Sequence, residues 1–288
     1  MPKKSLRTAF SLVEISVVLA IIAAIVAGVI KSQAMFLKAR LSTAQTITQN
    51  SSVKDIADLA IWYETALESS FLFSEQVDGG SISVWQDNSS NAASKNNATQ
   101  TSASSKPKFY EKVFNESLPA IRFDGVNDFL TFDGSSLIGS SYTIFVVEQR
   151  RASTSQMMFL GGDSAAANGN LHLGYRSDTT ITQAHSSGVF NDFTLAAYSS
   201  PTPRIHTFWF NVAAGQKYWI NGGGTADDAG VGFNSALTSY SGAAIGRYLT
   251  HYLNGDIAEI IIFSRALQTT ERQVVETYLG QKYNLTIS

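Results

Sequence analysis

The stretch FSLVEISVVLAIIAAIVAGVI, residues 10–30, is apolar apart from Ser11, Glu14, Ser16 and a few small residues. At about 1.5 Å of rise per residue a helix of this length reaches about 31 Å, enough to cross a bilayer core of about 30 Å. A carboxylate at the bilayer centre costs on the order of 2.5–3.5 kcal/mol, and less near an end, so Glu14 marks a function. An ordinary signal anchor has no use for it. Nor has a secretory signal peptide cut after Ser32-Gln33-Ala34, where small residues do stand.

Working outward, Lys3, Lys4 and Arg7 precede the apolar run, and Lys31, Lys38 and Arg40 follow it. The two basic clusters balance, so charge alone does not orient the segment. Met35, Leu37, Leu41, Ala44, Ile47 and Thr48 recur at helical spacing, which predicts that the helix continues as a stalk to about Asn50. Asn50-Ser51-Ser52 ends it, and the domain boundary falls there.

The block MPKKSLRTAFSLVEISVVLAIIAAIVAGVI resembles a prepilin (class III) signal of type IV pilin-like proteins. The resemblance implies a leader of residues 1–9, removed by a prepilin peptidase between Ala9 and Phe10. Phe10 becomes the methylated first residue, and Glu14 becomes the acid at the fifth mature position. Ala9 stands where the family usually has Gly, which keeps the small side chain. In an assembled filament Glu14 is expected to pair with the α-amino group of Phe10 on a neighbouring pilin subunit, since a buried carboxylate needs a cation. The resemblance places the leader in the cytoplasm, residues 10–53 in a transmembrane and stalk helix in the bacterial inner membrane, and the rest outside. After assembly the chain is expected in a cell-surface filament or the periplasm.

Past the stalk, Gly, Ser, Thr and Asn recur, and short apolar runs replace helical periodicity. The runs predict strands at Ala60–Tyr63, Ser81–Trp85, Ala120–Phe123, Phe129–Phe132, Thr143–Glu148, Met157–Leu160, Leu171–Tyr175, His206–Val212, Lys217–Asn221, Ala243–Ile245 and Asp256–Phe263. Many short strands at irregular spacing imply a sandwich. Leu267 to Tyr283 reads as one short surface helix. The blocks DLAIWYETA, VWQDNSSNAASKNNATQ, AIRFDGVNDFLTF, YWINGG and the closing NGDIAEIIIFSRALQTTERQVVETYLGQKYNL resemble the laminin-G-like, concanavalin A-like lectin fold. That resemblance implies a β-sandwich (jelly roll) over residues 54–288, mainly β, with a short C-terminal helix. The Ser- and Asn-rich stretch from Gln86 to Lys106 then becomes a long loop within one sandwich, because Trp62 and Trp85 need a core that forty residues cannot supply.

Composition narrows the chemistry. A net charge of −2 argues against nucleic acid as a partner. The absence of cysteine excludes disulfides, thiolate zinc sites and a Cys nucleophile. Laminin-type glycosidases carry acids at alternate strand positions, and no such run exists here. Asp256 and Glu259, three apart on one strand, are expected on opposite faces. His172, His185, His206 and His251 lack metal-ligand spacing. Gly162-Asp163-Ser164-Ala165 lacks the second glycine of an esterase elbow, and Gly222-Gly223-Gly224 reads as a turn.

Two candidate sites remain. Asp124, Asn127, Asp128 and Asp133 offer the hard oxygens that Ca²⁺ takes, and a tight turn would use the same residues. Tyr240, Tyr248 and Tyr252 are placed either to stack on sugars or to fill the sandwich. The expectation is a minor pilin or pseudopilin displaying a lectin-like domain for adhesion or for binding a glycan or protein ligand, without catalysis. The alternatives are a secreted or anchored glycan-active enzyme, or a secretion pseudopilin contacting cargo.

Overall fold

A computed structural model describes residues 11–90, 95–154, 156–185, 190–230 and 233–288. Ala9, Phe10 and the leader lie outside the described residues. Helix α1 spans Leu12–Gln49, about 57 Å at helical rise. Ser11 caps it: its Oγ accepts from Glu14 N–H at 3.2 Å, and the Glu14 carboxylate accepts from Ser11 N–H at 2.8 Å. Among the described residues this one helix is long and apolar enough to cross a membrane, and its apolar part is unburied.

The body is two antiparallel sheets face to face. The first runs in the order Asp228–Gly230, Gly215–Ile220, Arg204–Asn211, Tyr142–Arg150, Asn254–Phe263, Leu118–Asp124, Lys108–Phe114. Leu59–Glu64 also pairs with the long strand, along Glu259–Phe263, while Leu118–Asp124 takes its Asn254–Ile257 end. The second sheet runs Asn191–Thr194, Thr180–Ala184, His172–Ser177, Met157–Gly161, Ala244–Ile245, Leu130–Thr131, Ala98–Thr99, Val84–Trp85. A long helix, a β-sandwich and a short C-terminal helix are thus the fold.

Every residue of Tyr142–Arg150 is buried, because that strand has a core on each side. Tyr142, Ile144 and Val146 face the inner core between the sheets. Phe145 and Val147 face a second core under the helices, the period-2 alternation of a strand covered on both faces. Helix α2, Thr269–Tyr283, lies over that second core. The helix lies at the surface as expected, with Thr270, Val274, Thr277 and Gln281 exposed, while its other face is buried: Arg272, Glu276, Tyr278, Lys282 and Tyr283 pack between the sheet and the end of α1. Ala44 is buried in the second core with Leu41 and Ile47 packed beside it, and Thr48 Oγ1 lies 3.2 Å from Tyr278 OH. Arg40 donates to Asn115 O at 3.1 Å, and Gln45 to Ala66 O at 2.9 Å. The stalk is thus docked on the sandwich.

The expected long loop of Gln86–Lys106 is corrected in part: among its described residues Ala98–Thr99 is a strand of the second sheet, and the Asp87 carboxylate accepts from the backbone N–H of Trp62, Ser89 and Asn96. Ala98 is buried in the inner core, and the buried Asp87 is satisfied by these amides.

Candidate functional site

The edge of the sandwich holds a groove of about 720 Å³ between Leu59 of the first sheet, with Ser264 just past its long strand, and Thr131 of the second sheet, with Asp133 just beyond it. Its walls are ordered by side-chain-to-backbone bonds. The Asn96 amide donates to Asp133 O at 2.6 Å and accepts from Asp133 N–H at 2.9 Å. The Asp133 carboxylate accepts from Ser135 N–H and Oγ, both at 2.9 Å. Asp58 and Lys95 also line it, Asp58 paired with Arg265 at 3.2 Å and Lys95 donating to Ser89 O. A concave, polar surface with amides, hydroxyls and charges already in place suits a ligand rich in hydroxyl groups.

Asp133 therefore belongs to this groove and not to the loop of Asp124, Asn127 and Asp128. In that loop Asp124 Oδ1 accepts from the backbone N–H of Val126, Asn127 and Asp128 at 2.8–3.2 Å, and Asp128 Oδ2 accepts from Asp124 N–H at 3.0 Å. The carboxylates are spent on closing the turn. Burial, reinforced by repulsion from Asp124, pushes the Asp128 carboxyl up to about 7. Among the described residues no group of three or more His, Asp or Glu is placed to hold a metal.

The three tyrosines have different surroundings. Tyr240 is 8% exposed, meets Phe132 edge-on at 5.8 Å, and lies where a Cβ on Gly134 would collide with its ring. It fills the core and is not available to stack on a sugar. Tyr248 is buried too, stacked on His172 at 4.1 Å. Tyr252 is half-buried beside Phe129 at 6.5 Å, and the Arg247 guanidinium covers the Phe129 ring at 3.9 Å.

This patch lies on the outer face of the second sheet. Leu173 and Tyr175 point into the inner core, so His172 and Gly174 point out. His172 is 4% exposed, and neither ring nitrogen has a hydrogen-bond partner among the described residues. Burial, helped by His251 and Arg176, lowers its pKa to about 4, so the imidazole is neutral near pH 7.

Asp256 and Glu259 are not on opposite faces as the spacing suggests. A bulge between Ile257 and Glu259 shifts the parity: Ile257 and Ile260 both face the inner core, while Ala258 and Ile261 face the helices. Both acids therefore point to the helix-covered face. Both are occupied: Asp256 accepts from Arg122 at 2.6 Å and Gln149 at 3.0 Å, and Glu259 from Trp62 Nε1 at 2.6 Å and Tyr278 OH at 2.8 Å.

No protein-family model matches the chain, and no curated protein matches it. Solved structures do resemble it. The binding domain of Paraclostridial Mosquitocidal Protein 1 aligns with 78% of this chain and 52% of its own at 15% identity, TM-score 0.53. A mutant of Trypanosoma rangeli sialidase displaying trans-sialidase activity aligns with 80% of this chain at 12% identity, TM-score 0.51. Domain 4 of AbnA, an extracellular arabinanase from Geobacillus stearothermophilus in complex with arabinotriose, aligns with 75% of this chain and 98% of its own at 14% identity, TM-score 0.43. The alignment spans about a third of the sialidase chains. The sandwich is thus shared with about a third of a sialidase chain. That finding overturns the expectation, drawn from missing motifs, that the protein is not an enzyme: this fold does not support such an exclusion.

Proposed function

We propose that this chain is a pilin-type filament subunit, held in a bacterial inner membrane by α1 before assembly, that presents a glycan-recognising β-sandwich outside the cell. The observation that carries the reading is the division of α1. From Leu12 to Ile30 its large apolar side chains are all at least half exposed, whereas Ala44 and Thr48 are buried against the sandwich. A helix built this way joins a lipid- or helix-seeking half firmly to a displayed domain. The prepilin-like leader supports cleavage between Ala9 and Phe10, and Glu14 within the apolar half supports pairing with another subunit.

The glycan part of the reading is supported by the polar edge groove and by the sandwich held in common with part of a sialidase and with the binding domain of a mosquitocidal protein. A second reading, an anchored glycan-active protein, draws on the same sialidase likeness. One set of measurements tests all three parts. Terminal sequencing of the envelope form should begin at Phe10; a chain beginning at Met35 would sink the pilin reading. A glycan array should give binding that Asp58→Ala or Lys95→Ala in the groove weakens, and binding unaffected by both removes the groove from the account. Release of reducing sugar from a bound polysaccharide would establish the second reading.

A further inference from the structure

A single row of side chains crosses four neighbouring strands of the first sheet, on the face that the helices cover further along. Lys108 pairs with Arg122, Arg122 with Asp256, and Asp256 with Gln149. With strands about 4.8 Å apart the row is about 14 Å long. Ala120 and Val147, two residues back from Arg122 and Gln149, belong to the core under the helices. Lys108 and Arg151 are exposed, so the row lies beyond the helical cover.

The row turns its acid inward and its cations outward. The fully buried Asp256 carboxylate accepts from Arg122 Nε at 2.6 Å, Arg122 Nη2 at 3.1 Å and Gln149 Nε2 at 3.0 Å, and Arg151 Nη1 stands 3.6 Å away. The Arg122 guanidinium also lies 4.1 Å over the Tyr110 ring, and its Nη1 takes no part in the clamp. The Lys108 side chain makes no hydrogen bond or ion pair among the described residues, and the Arg151 side chain is 38% exposed. Asp124, two residues past Arg122, returns one negative charge to this face, but its Oδ1 already accepts from three backbone amides. Three cations therefore meet two acids that are both engaged. Burying a carboxylate costs more than an exposed ion pair returns. What the clamp secures is one orientation of the Arg122 fork, the preorganisation that a binding site needs.

We propose that this row is a second binding site, for the carboxylates of an acidic, uronate-type polysaccharide, with Arg122 as the planar fork and Lys108 and Arg151 as flanking charges. Donors that face outward call for a ligand that brings acceptors, and a carboxylate matches the edge of a guanidinium. A flat row about 14 Å long suits an extended chain with acid groups on successive units. The row itself has no exposed large apolar side chain of the kind that anchors a protein partner. Three cations are few for a nucleic acid, whose affinity comes from neutralising many phosphates. The proposal extends the glycan reading to a surface that shares no residue with the edge groove.

The test is binding of the full chain, in non-ionic detergent, to immobilised polygalacturonate, with dextran sulfate, neutral dextran and duplex DNA beside it. Lys108→Gln combined with Arg151→Gln removes two exposed charges and leaves the Arg122–Asp256 clamp in place, so the melting curve should not move. The expected result is polygalacturonate binding that weakens as salt rises and falls at least about tenfold in the double variant, the loss expected when hydrogen bonds to charged groups are removed. Arg122→Lys, which keeps the charge and removes the fork, should weaken it as well, whereas Lys95→Ala in the edge groove should not. Equal binding by the wild type and the double variant overturns the proposal, as does no binding of polygalacturonate at all. Dextran sulfate or DNA bound as tightly as polygalacturonate shows a patch that reads charge alone and also overturns it. Loss with Lys95→Ala but not with the double variant moves the acidic chain to the edge groove, which overturns this site and leaves the glycan reading standing.

Discussion

The Lys282 ammonium lies 2.8 Å from Glu259 Oε2 and 2.9 Å from Glu64 Oε2, and all three side chains are fully buried. The trio ties α2 to two neighbouring strands of the first sheet beneath the end of α1. Burial by itself would lower the lysine's pKa, but Glu259 and Glu64 outweigh it and hold the ammonium above its ordinary value. Burial would likewise raise Glu64, but Lys282 and Ser70 overcome it and hold that carboxyl below its ordinary value.

Removing the cation leaves two buried carboxylates facing one another. Lys282→Met should therefore destabilise the sandwich by about 3–5 kcal/mol, the cost of breaking a buried ion pair from one side. Chemical denaturation of the full chain in detergent checks it. Loss of less than about 1 kcal/mol would mean that the acids are neutral or solvated.

Asp128 gives a pH dependence of the less usual sign. Its folded-state pKa is raised to about 7, so the folded chain keeps a proton that the unfolded chain gives up. Stability from this group is present in acid and is lost as pH rises from about 4 to about 7. Asp128→Asn should flatten that decline and stabilise the protein at pH 8 by roughly 1 kcal/mol after screening is allowed for. Equal melting curves for the two proteins at pH 8 would refute it. Millimolar Ca²⁺ should leave the wild-type curve unmoved, because Asp124 already accepts three amides.

His172 acts in the opposite direction. Its pKa is lowered to about 4 by burial, then by His251 and Arg176, so the unfolded chain takes up a proton first. Stability from this group is lost as pH falls from about 6.5 to about 4. His172→Phe keeps the stack on Tyr248 and removes the titration. Its stability relative to wild type should grow over that interval, and a pH-independent difference would show that the ring is not buried neutral.

Glu14→Gln keeps an oxygen to accept from Ser11 N–H and removes the charge. Insertion should be unchanged or improved, while the amount recovered in sheared filaments should fall. Undiminished incorporation would separate Glu14 from subunit pairing.

Much of the body was legible because its central strands are apolar enough to stand out. Thr143–Glu148 and Asp256–Phe263 carry unbroken Val, Ile and Phe runs, and each lies within an observed strand. Lys108–Phe114, Thr180–Ala184 and Asn191–Thr194 were not anticipated. They sit at or next to sheet edges, where charged and polar residues are tolerated and the alternating pattern fades. The site was less legible for the same kind of reason. Asn96 and Asp133 are 37 residues apart and meet only when the second sheet is assembled. His172 and Tyr248 meet only when the hairpin Arg247–Tyr252 folds back over that sheet.

By itself the sequence determined that an apolar helix precedes a β-rich body, because helical and strand periodicities are local properties of neighbouring residues. Local spacing also determined where α1 stops, to within a residue or two. Only the tertiary structure decided which side each buried acid faces, which tyrosine is core and which is surface, and which face of α2 is buried. A single bulge reverses parity, and burial depends on elements far apart in the chain.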